Sequence, residues 1–266
     1  MSSIQNKFKA AILAGQKQYG IWNGIPHSYA AEILAGAGFD WVLIDAEHGP
    51  FSIEQIIIQV QAMSRYDVSP ILRMRNADPV YMKPLLDAGL QSFIIPMVES
   101  GETAQMIAEA MRYAPEGNRG VGTALARGAQ WNRVNNYFKE ANDQMCLITQ
   151  VESMKGVAAL DHILAIKEVD VVFMGPADLA ATMGHLGNPG HPDVKAQVND
   201  CLRRIVKAGK TAGVLTSSKA LIADYTDQGA RMIGVGLDTI ILAKATKELA
   251  EYYKPELKAD QSNTTY

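Results

Sequence analysis

Apolar residues along the chain follow two rhythms. Short, nearly continuous apolar runs rich in β-branched side chains alternate with longer stretches in which apolar positions recur every three or four residues. Eight runs are of the first kind: Gly20–Asn23, Trp41–Asp45, Pro70–Met74, Phe93–Val98, Cys146–Val151, Val171–Gly175, Ala212–Thr216 and Met232–Val235. Strands covered on both faces require such unbroken apolar composition, so these runs read as a parallel sheet. Between them, the helical period occupies Ser28–Ala37, Ser52–Arg65, Pro79–Ala88, Glu102–Arg112, Gly156–Lys167, Pro192–Ala208, Ser218–Gln228 and Thr239–Tyr253. A Ser–Glu pair at Ser52 and Glu54 marks one helix start, and Gly89, Gly209 and Gly229 stand where left-handed C-caps are expected.

Strand then helix, eight times over, predicts an α/β fold of the (β/α)8 TIM-barrel type over residues 19–254. Within residues 1–18, Ile4–Leu13 reads as a helix able to cover the barrel bottom, and residues 255–266 read as a mobile polar tail. Arg119–Trp131, RGVGTALARGAQW, is a glycine-rich insertion long enough for a lid or an oligomer contact. An open doubly wound sheet shares the alternation, but Gly20–Asn23 leads into IPHSYA rather than a GxGxxG phosphate turn.

Composition narrows the partners. Of 266 residues, 48% are hydrophobic and 20% charged, which is the balance of a folded domain rather than a disordered segment. Lys plus Arg number 25 against 28 Asp plus Glu, a formal charge of −3 with no basic run, so nucleic-acid binding is disfavoured. Cys146 and Cys201 form neither a disulfide framework nor a CxxC site, which fits a reducing cytoplasm. MSSIQNKFKAAILAG is too short in apolar residues for a signal peptide, and no stretch approaches the roughly 20 apolar residues of a membrane span, so a cytoplasmic location without membrane contact is expected.

In a parallel barrel the chemistry lies at the C-terminal strand ends. Asp45, Glu47 and His48 follow the second run, Arg73 lies inside the third, Gln150 and Glu152 close the fifth, and GPAD places Asp178 after the sixth. Two carboxylates from neighbouring strands, Glu152 and Asp178, suit a hard divalent cation, although mouth carboxylates paired with arginine or solvated look the same in sequence. His48 is a candidate base with Asp45 as its geometrically favoured partner, against the bland reading of a solvent-facing turn histidine. Arg73 in an apolar strand must meet a buried partner or serve an anionic substrate oxygen at the mouth. No run contains a lysine, which argues against Schiff-base chemistry. GVGLD, at Gly234–Asp238, offers a weaker candidate for phosphate binding at the following helix.

Through AGFDWVLIDAEHGP (37–50), RMRNADPVYMKPLLDAG (73–89), RGVGTALARGAQWNR (119–133), QMCLITQVES (144–153) and FMGPADLAATMGHLGNPGHP (173–192), the sequence resembles the HpcH/HpaI aldolase family. The resemblance implies a barrel of the phosphoenolpyruvate/pyruvate-binding type whose last helix is exchanged between subunits, in a homo-oligomer that is a hexamer. It implies a class II pyruvate aldolase using Mg²⁺, Mn²⁺ or Co²⁺, with Glu152 and Asp178 as metal ligands. Gln150 and the backbone at Ala177 match positions that bind pyruvate, with Arg73 facing the enolate and keto oxygen. His48 matches the proton-transfer base, and Asp87 an acid that raises its basicity. The implied reaction cleaves 4-hydroxy-2-oxoacids such as 4-hydroxy-2-oxoheptanedioate to pyruvate and an aldehyde, there succinic semialdehyde, whose far carboxylate would meet Arg127 or Arg133. Alternatives are a 2-keto-3-deoxy sugar-acid aldolase of glucarate or L-rhamnonate type, a non-aldol pyruvate or oxaloacetate enolate enzyme, and a non-catalytic 2-oxoacid-binding module.

Overall fold

The computed structural model describes residues 4–257. In chain order its elements are α1 (Lys7–Leu13), β1 (Gln18–Asn23), α2 (Ser28–Ala35), β2 (Trp41–Asp45), α3 (Ile53–Met63), β3 (Ser69–Arg73), α4 (Pro79–Asp87), β4 (Ser92–Ile95) and α5 (Gly101–Ala110). Then follow α6 (Tyr137–Gln144), β5 (Cys146–Val151), α7 (Met154–Ala158), α8 (Leu160–Leu164), β6 (Val169–Met174) and α9 (Pro176–Thr182). The chain continues through α10 (Pro192–Lys207), β7 (Thr211–Leu215), α11 (Lys219–Asp227), β8 (Ala230–Leu237) and α12 (Asp238–Tyr253). The eight strands close in sequence order into one barrel, β8 returning to pair with β1, every pairing parallel. This is the (β/α)8 barrel the alternation predicts.

Each strand feeds two cores, which is why the runs are apolar at almost every position. Outward residues such as Val42, Ile44, Leu72, Leu147 and Val172 pack under the helices. Inward residues Trp22, Trp41, Leu43, Ile71, Ile94, Ile148, Val171, Phe173 and Met232 fill the barrel. Large and small side chains alternate there: a Cβ at Gly20 would overlap the Trp41 ring, so glycine on β1 makes room for tryptophan on β2.

The barrel floor is α1, whose Phe8 and Ile12 join the interior cluster. Asn6 caps α1 through the Lys9 amide and donates from Nδ2 to Ser92 Oγ at 2.9 Å. Lys9 Nζ donates to the Met145 carbonyl at 2.7 Å and lies 3.2 Å from Asp170 Oδ1, both side chains being largely buried.

Several boundaries differ from the periodicity. The fourth run stops at Ile95 because Pro96 has no amide to donate and Met97 turns left-handed (φ 50°). The expected Gly156–Lys167 helix is two short helices that share Ala159 as a joint at φ −86°, ψ −2°. The cap at Ser52 is a full box, but with Gln55 as the reciprocal partner rather than Glu54. Helices α6 and α9 are additional. Gly89, Gly209 and Gly229 do end their helices at positive φ. Of the expected polar tail, 258–266 lie outside the described residues.

The Lys9–Asp170 pair makes a testable element of the floor. Burial pushes the Asp170 carboxyl above its ordinary value, with Lys9 pulling it back. A carboxyl with a raised native pKa binds extra protons in the folded state, so its contribution to stability falls as pH rises from the unfolded value through the native one. Lys9→Met leaves Asp170 without its close cation and is expected to cost about 3 kcal/mol near pH 7. The deficit should shrink near pH 5 as Asp170 protonates. Urea unfolding at the two pH values tests this; a deficit independent of pH would assign the loss to packing.

Candidate active site

Inward positions recur every second residue along a strand, and the polar residues at the mouth continue that parity. Asp45 follows Trp41 and Leu43 on β2, Arg73 follows Ile71 on β3, and Gln150 and Glu152 follow Cys146 and Ile148 on β5. All four therefore crown the packed interior, facing a cavity of about 460 Å³ also lined by Trp22, His48, Phe173, Ala177 and Asp178.

The centre of this crown is a charge cluster. Asp45 and Arg73 are direct register partners across β2 and β3. Arg73 donates to Asp45 from Nε to Oδ1 at 2.9 Å and from Nη2 to Oδ2 at 2.5 Å, a two-pronged bond between side chains exposed by under a tenth. Its Nη1 lies 2.9 Å from Glu47 Oε2. Burial opposes the Arg73 charge, but Asp45 and the Glu47 and Glu152 carboxylates outweigh it and raise the guanidinium pKa. Of five guanidinium N–H groups, two are hydrogen-bonded to Asp45, while Nη1 faces Glu47 Oε2 at ion-pair distance without a hydrogen bond, so that oxygen stays buried and unpartnered. Asp45 Oδ1 also accepts from the amides of Glu47 (3.1 Å) and His48 (3.3 Å), folding the chain into the turn that presents both side chains.

Across the mouth, Glu152 is buried and fixed on both oxygens. Oε1 accepts from the Met97 amide at 2.9 Å, the amide that its left-handed φ turns inward, and Oε2 accepts from Gln150 Nε2 at 2.5 Å. A Cβ at residue 175 would stand 2.5 Å from Glu152 Oε2 and 3.1 Å from Gln150 Nε2, so only glycine admits this pair. Burial, then the neighbouring Glu47 and Asp178 charges, push the Glu152 carboxyl up to about 7, against the opposing Met97 amide and Arg73. Glu47 is likewise raised, first by burial. Gln150 Oε1 is a buried acceptor without a donor. Oxygen donors whose burial and mutual repulsion hinder ionisation suit a hard divalent cation such as Mg²⁺ or Mn²⁺.

His48, Asp45, Arg73, Gln150, Glu152, Ala177 and Asp178 thus converge. Asp87 does not. It ends α4 and pairs with Arg119 at 3.0 Å, while its carbonyl accepts from Gly128. The expectation that Asp45 orients the His48 ring is also corrected: its carboxylate is spent on Arg73 and two amides, and the nearest carboxylate to the imidazole is Glu47, with Oε2 4.0 Å from Nε2. Glu47, placed by the sequence at this strand end without a role, continues the inward parity of Trp41, Leu43 and Asp45.

The insertion is not a lid. Arg119 and Arg127 bond to Asp87 and to the Ala88 carbonyl at the end of α4, and no residue of 119–133 lines the cavity, so neither Arg127 nor Arg133 awaits a substrate carboxylate there. GVGLD is no vacant phosphate turn either. The Asp238 carboxylate itself accepts from the amides of Gly24 (2.9 Å), Ile25 (3.1 Å) and Thr239 (2.7 Å). The outer wall joins Leu215, Thr216, Ser217, Leu221 and Tyr225, which belong to no motif, to Pro189 and Gly190 of the GNPGHP stretch.

The chain is similar to known proteins over nearly its whole length. The chain is 45% identical over 256 residues to the 4-hydroxy-2-oxo-heptane-1,7-dioate aldolase of Shigella sonnei (strain Ss046), covering 96% of this chain and 98% of the relative. It is 44% identical over 260 residues to the hydroxypyruvate/pyruvate aldolase of Pseudomonas aeruginosa, covering 98% and 97%. A crystal structure of an HpcH/HpaI aldolase/citrate lyase family protein from Burkholderia cenocepacia J2315 superposes with a TM-score of 0.89 at 33% identity, covering 94% of this chain and all of that one. The family profile described as HpcH/HpaI aldolase/citrate lyase matches residues 18–245, and the chain belongs to that family.

Proposed function

We propose that the protein is a metal-dependent aldolase that cleaves 4-hydroxy-2-oxoacids to pyruvate and an aldehyde. One observation carries the reading. Four carboxylates, Asp45, Glu47, Glu152 and Asp178, surround the mouth, and Arg73 is the one lysine or arginine among the cavity-lining residues. An anionic 2-oxoacid enters so acidic a site only if a bound cation offsets the charge. The named relatives support the aldol reading.

Glu152 and Asp178 would hold the cation, with Gln150 and Gly175 keeping Glu152 in place. The bound divalent ion supplies Lewis-acid polarisation of the 2-keto group. His48, exposed at the rim and fixed through its amide to Asp45, accepts the proton of the 4-hydroxyl as the C3–C4 bond breaks. The bond pair passes to C3, giving pyruvate enolate; Arg73, with N–H groups beyond the two bonded to Asp45, stabilises its oxygen. Protonation at C3 then yields pyruvate.

The acceptor end favours neutral, hydroxylated aldehydes as well as succinic semialdehyde. Its wall combines Leu215, Leu221 and Pro189 with the hydroxyl-bearing Thr216, Ser217 and Tyr225 and contains no cation. This is the specific support for the sugar-acid reading as the alternative.

The protein acts, on this reading, as a cytoplasmic homo-oligomer, a hexamer with α12 exchanged. Among the described residues of α12 only Asp238 is buried, while Ile240, Ile241, Leu242 and Leu249 are more than half exposed. So much apolar surface on one helix calls for a protein partner. Assembly would also be the route by which a neighbouring Asp87 reaches His48.

A pyruvate-release assay on a panel of 4-hydroxy-2-oxoacids should show turnover that chelator abolishes and Mg²⁺ or Mn²⁺ restores; turnover unaffected by chelator, but trapped by borohydride, would sink the class II reading. His48→Ala should retain pyruvate binding and lose at least about 100-fold in kcat. Gly175→Ala is expected to leave the barrel folded, by circular dichroism, yet to weaken metal binding at least about tenfold because it displaces Glu152; unchanged affinity in calorimetry contradicts the assignment. Replacing Ile241 and Leu249 by aspartate should lower the oligomer mass in light scattering, and an unchanged mass would remove α12 from the interface.

A further inference from the structure

Besides Glu152 and Asp178, three other metal-capable side chains gather where the segment after α9 enters the first turn of α10. His185, His191 and Asp193 bring their donor atoms within 4.8 Å of one another. The backbone of the segment winds them together: the Asn188 amide donates to the His185 carbonyl at 2.9 Å, and the His191 amide to the Asn188 carbonyl at 3.1 Å. The two imidazoles stack with centroids 3.6 Å apart. Asp193 Oδ2 lies 3.4 Å from His185 Nε2 and 3.6 Å from His191 Nδ1.

The two Asp193–imidazole distances are close to those within a coordination shell. Donors bound at about 2.0–2.1 Å around a tetrahedral ion stand roughly 3.3–3.4 Å from one another. We propose that His185, His191 and Asp193 form a second cation site, specific for a borderline transition-metal ion such as Zn²⁺, Co²⁺ or Ni²⁺. Two imidazoles and one carboxylate select against Mg²⁺, which the oxygen donors of Glu152 and Asp178 suit instead.

Two local interactions compete with the ion. His191 Nδ1 accepts from the Asp193 amide at 3.2 Å as the cap of α10, and the ring stack aligns the lone pairs side by side. Ligation exchanges the cap bond and the stack for metal–nitrogen bonds. The start of α10 repels a bare cation, and the Asp193 carboxylate supplies the offsetting charge.

The position gives the site a consequence. Pro189 and Gly190, between the two histidines, line the catalytic cavity on its acceptor side. An ion joining His185 to His191 ties down that stretch of wall, without touching Glu152 or Arg73.

Full-length protein stripped of metal and dialysed against Co²⁺ tests the proposal, read as bound metal per chain and as the visible absorption of low-coordinate Co²⁺. Wild type should bind two ions, H185A/H191A one, E152Q one, and the triple variant none. Asp193→Asn, which retains the His191 cap, should weaken the second site at least about tenfold, and H185A/H191A should keep Mg²⁺-supported turnover within about twofold. Equal Co²⁺ counts and spectra in wild type and H185A/H191A would overturn it. If Glu152 and Asp178 bind no metal, wild type holds one ion that H185A/H191A removes and E152Q does not.

Discussion

A buried guanidinium organises the mouth of this barrel. Arg73 lies where the apolar interior ends, and its charge must be met there. Asp45 meets it from the adjacent strand in register, and Glu47 from the turn beyond. Because Asp45 Oδ1 also receives the Glu47 and His48 amides, one carboxylate both neutralises the arginine and shapes the turn carrying the other two groups. Removing Asp45 would therefore free a buried cation and loosen the His48 turn together, and a kinetic loss in such a variant would report positioning rather than proton transfer.

The opposite wall follows a different rule. Glu152 is held near other acids by hydrogen bonds on both oxygens and by a glycine that lets β6 approach. Protein donors compensate the burial of this carboxylate only partly, and its pKa of about 7 records the remainder. The mouth thus sets one satisfied pair, Arg73 with Asp45, against two buried carboxylates, Glu47 and Glu152, that remain electrically incomplete.

The barrel was legible because parallel strands buried on two faces leave apolar runs that nothing else in the chain imitates. Trp41–Asp45 and Cys146–Val151 appear at the expected residues. The mouth was legible for a related reason: polar residues at the ends of apolar runs are costly unless they face a cavity, as Arg73 and Glu152 do. What escaped depends on side-chain pairing across distant segments. Asp45 reads in sequence as a partner for the nearby His48, but a bidentate arginine from the next strand claims it. Arg119–Trp131 reads as a lid because it is long and glycine-rich, whereas the buried Arg119–Asp87 pair docks it beside α4. The outer wall of the cavity draws on residues from three separate loops and helices, none with a spacing that announces it.

Asp238 is the first residue of α12, yet its carboxylate serves β1, binding the amides of Gly24 and Ile25. That bond can form only when β8 already lies beside β1, after the ring of strands has closed. The direction in which α12 leaves the barrel is therefore set by closure of the strand ring. A single carboxylate thus acts as the latch that couples the last helix to the closed ring.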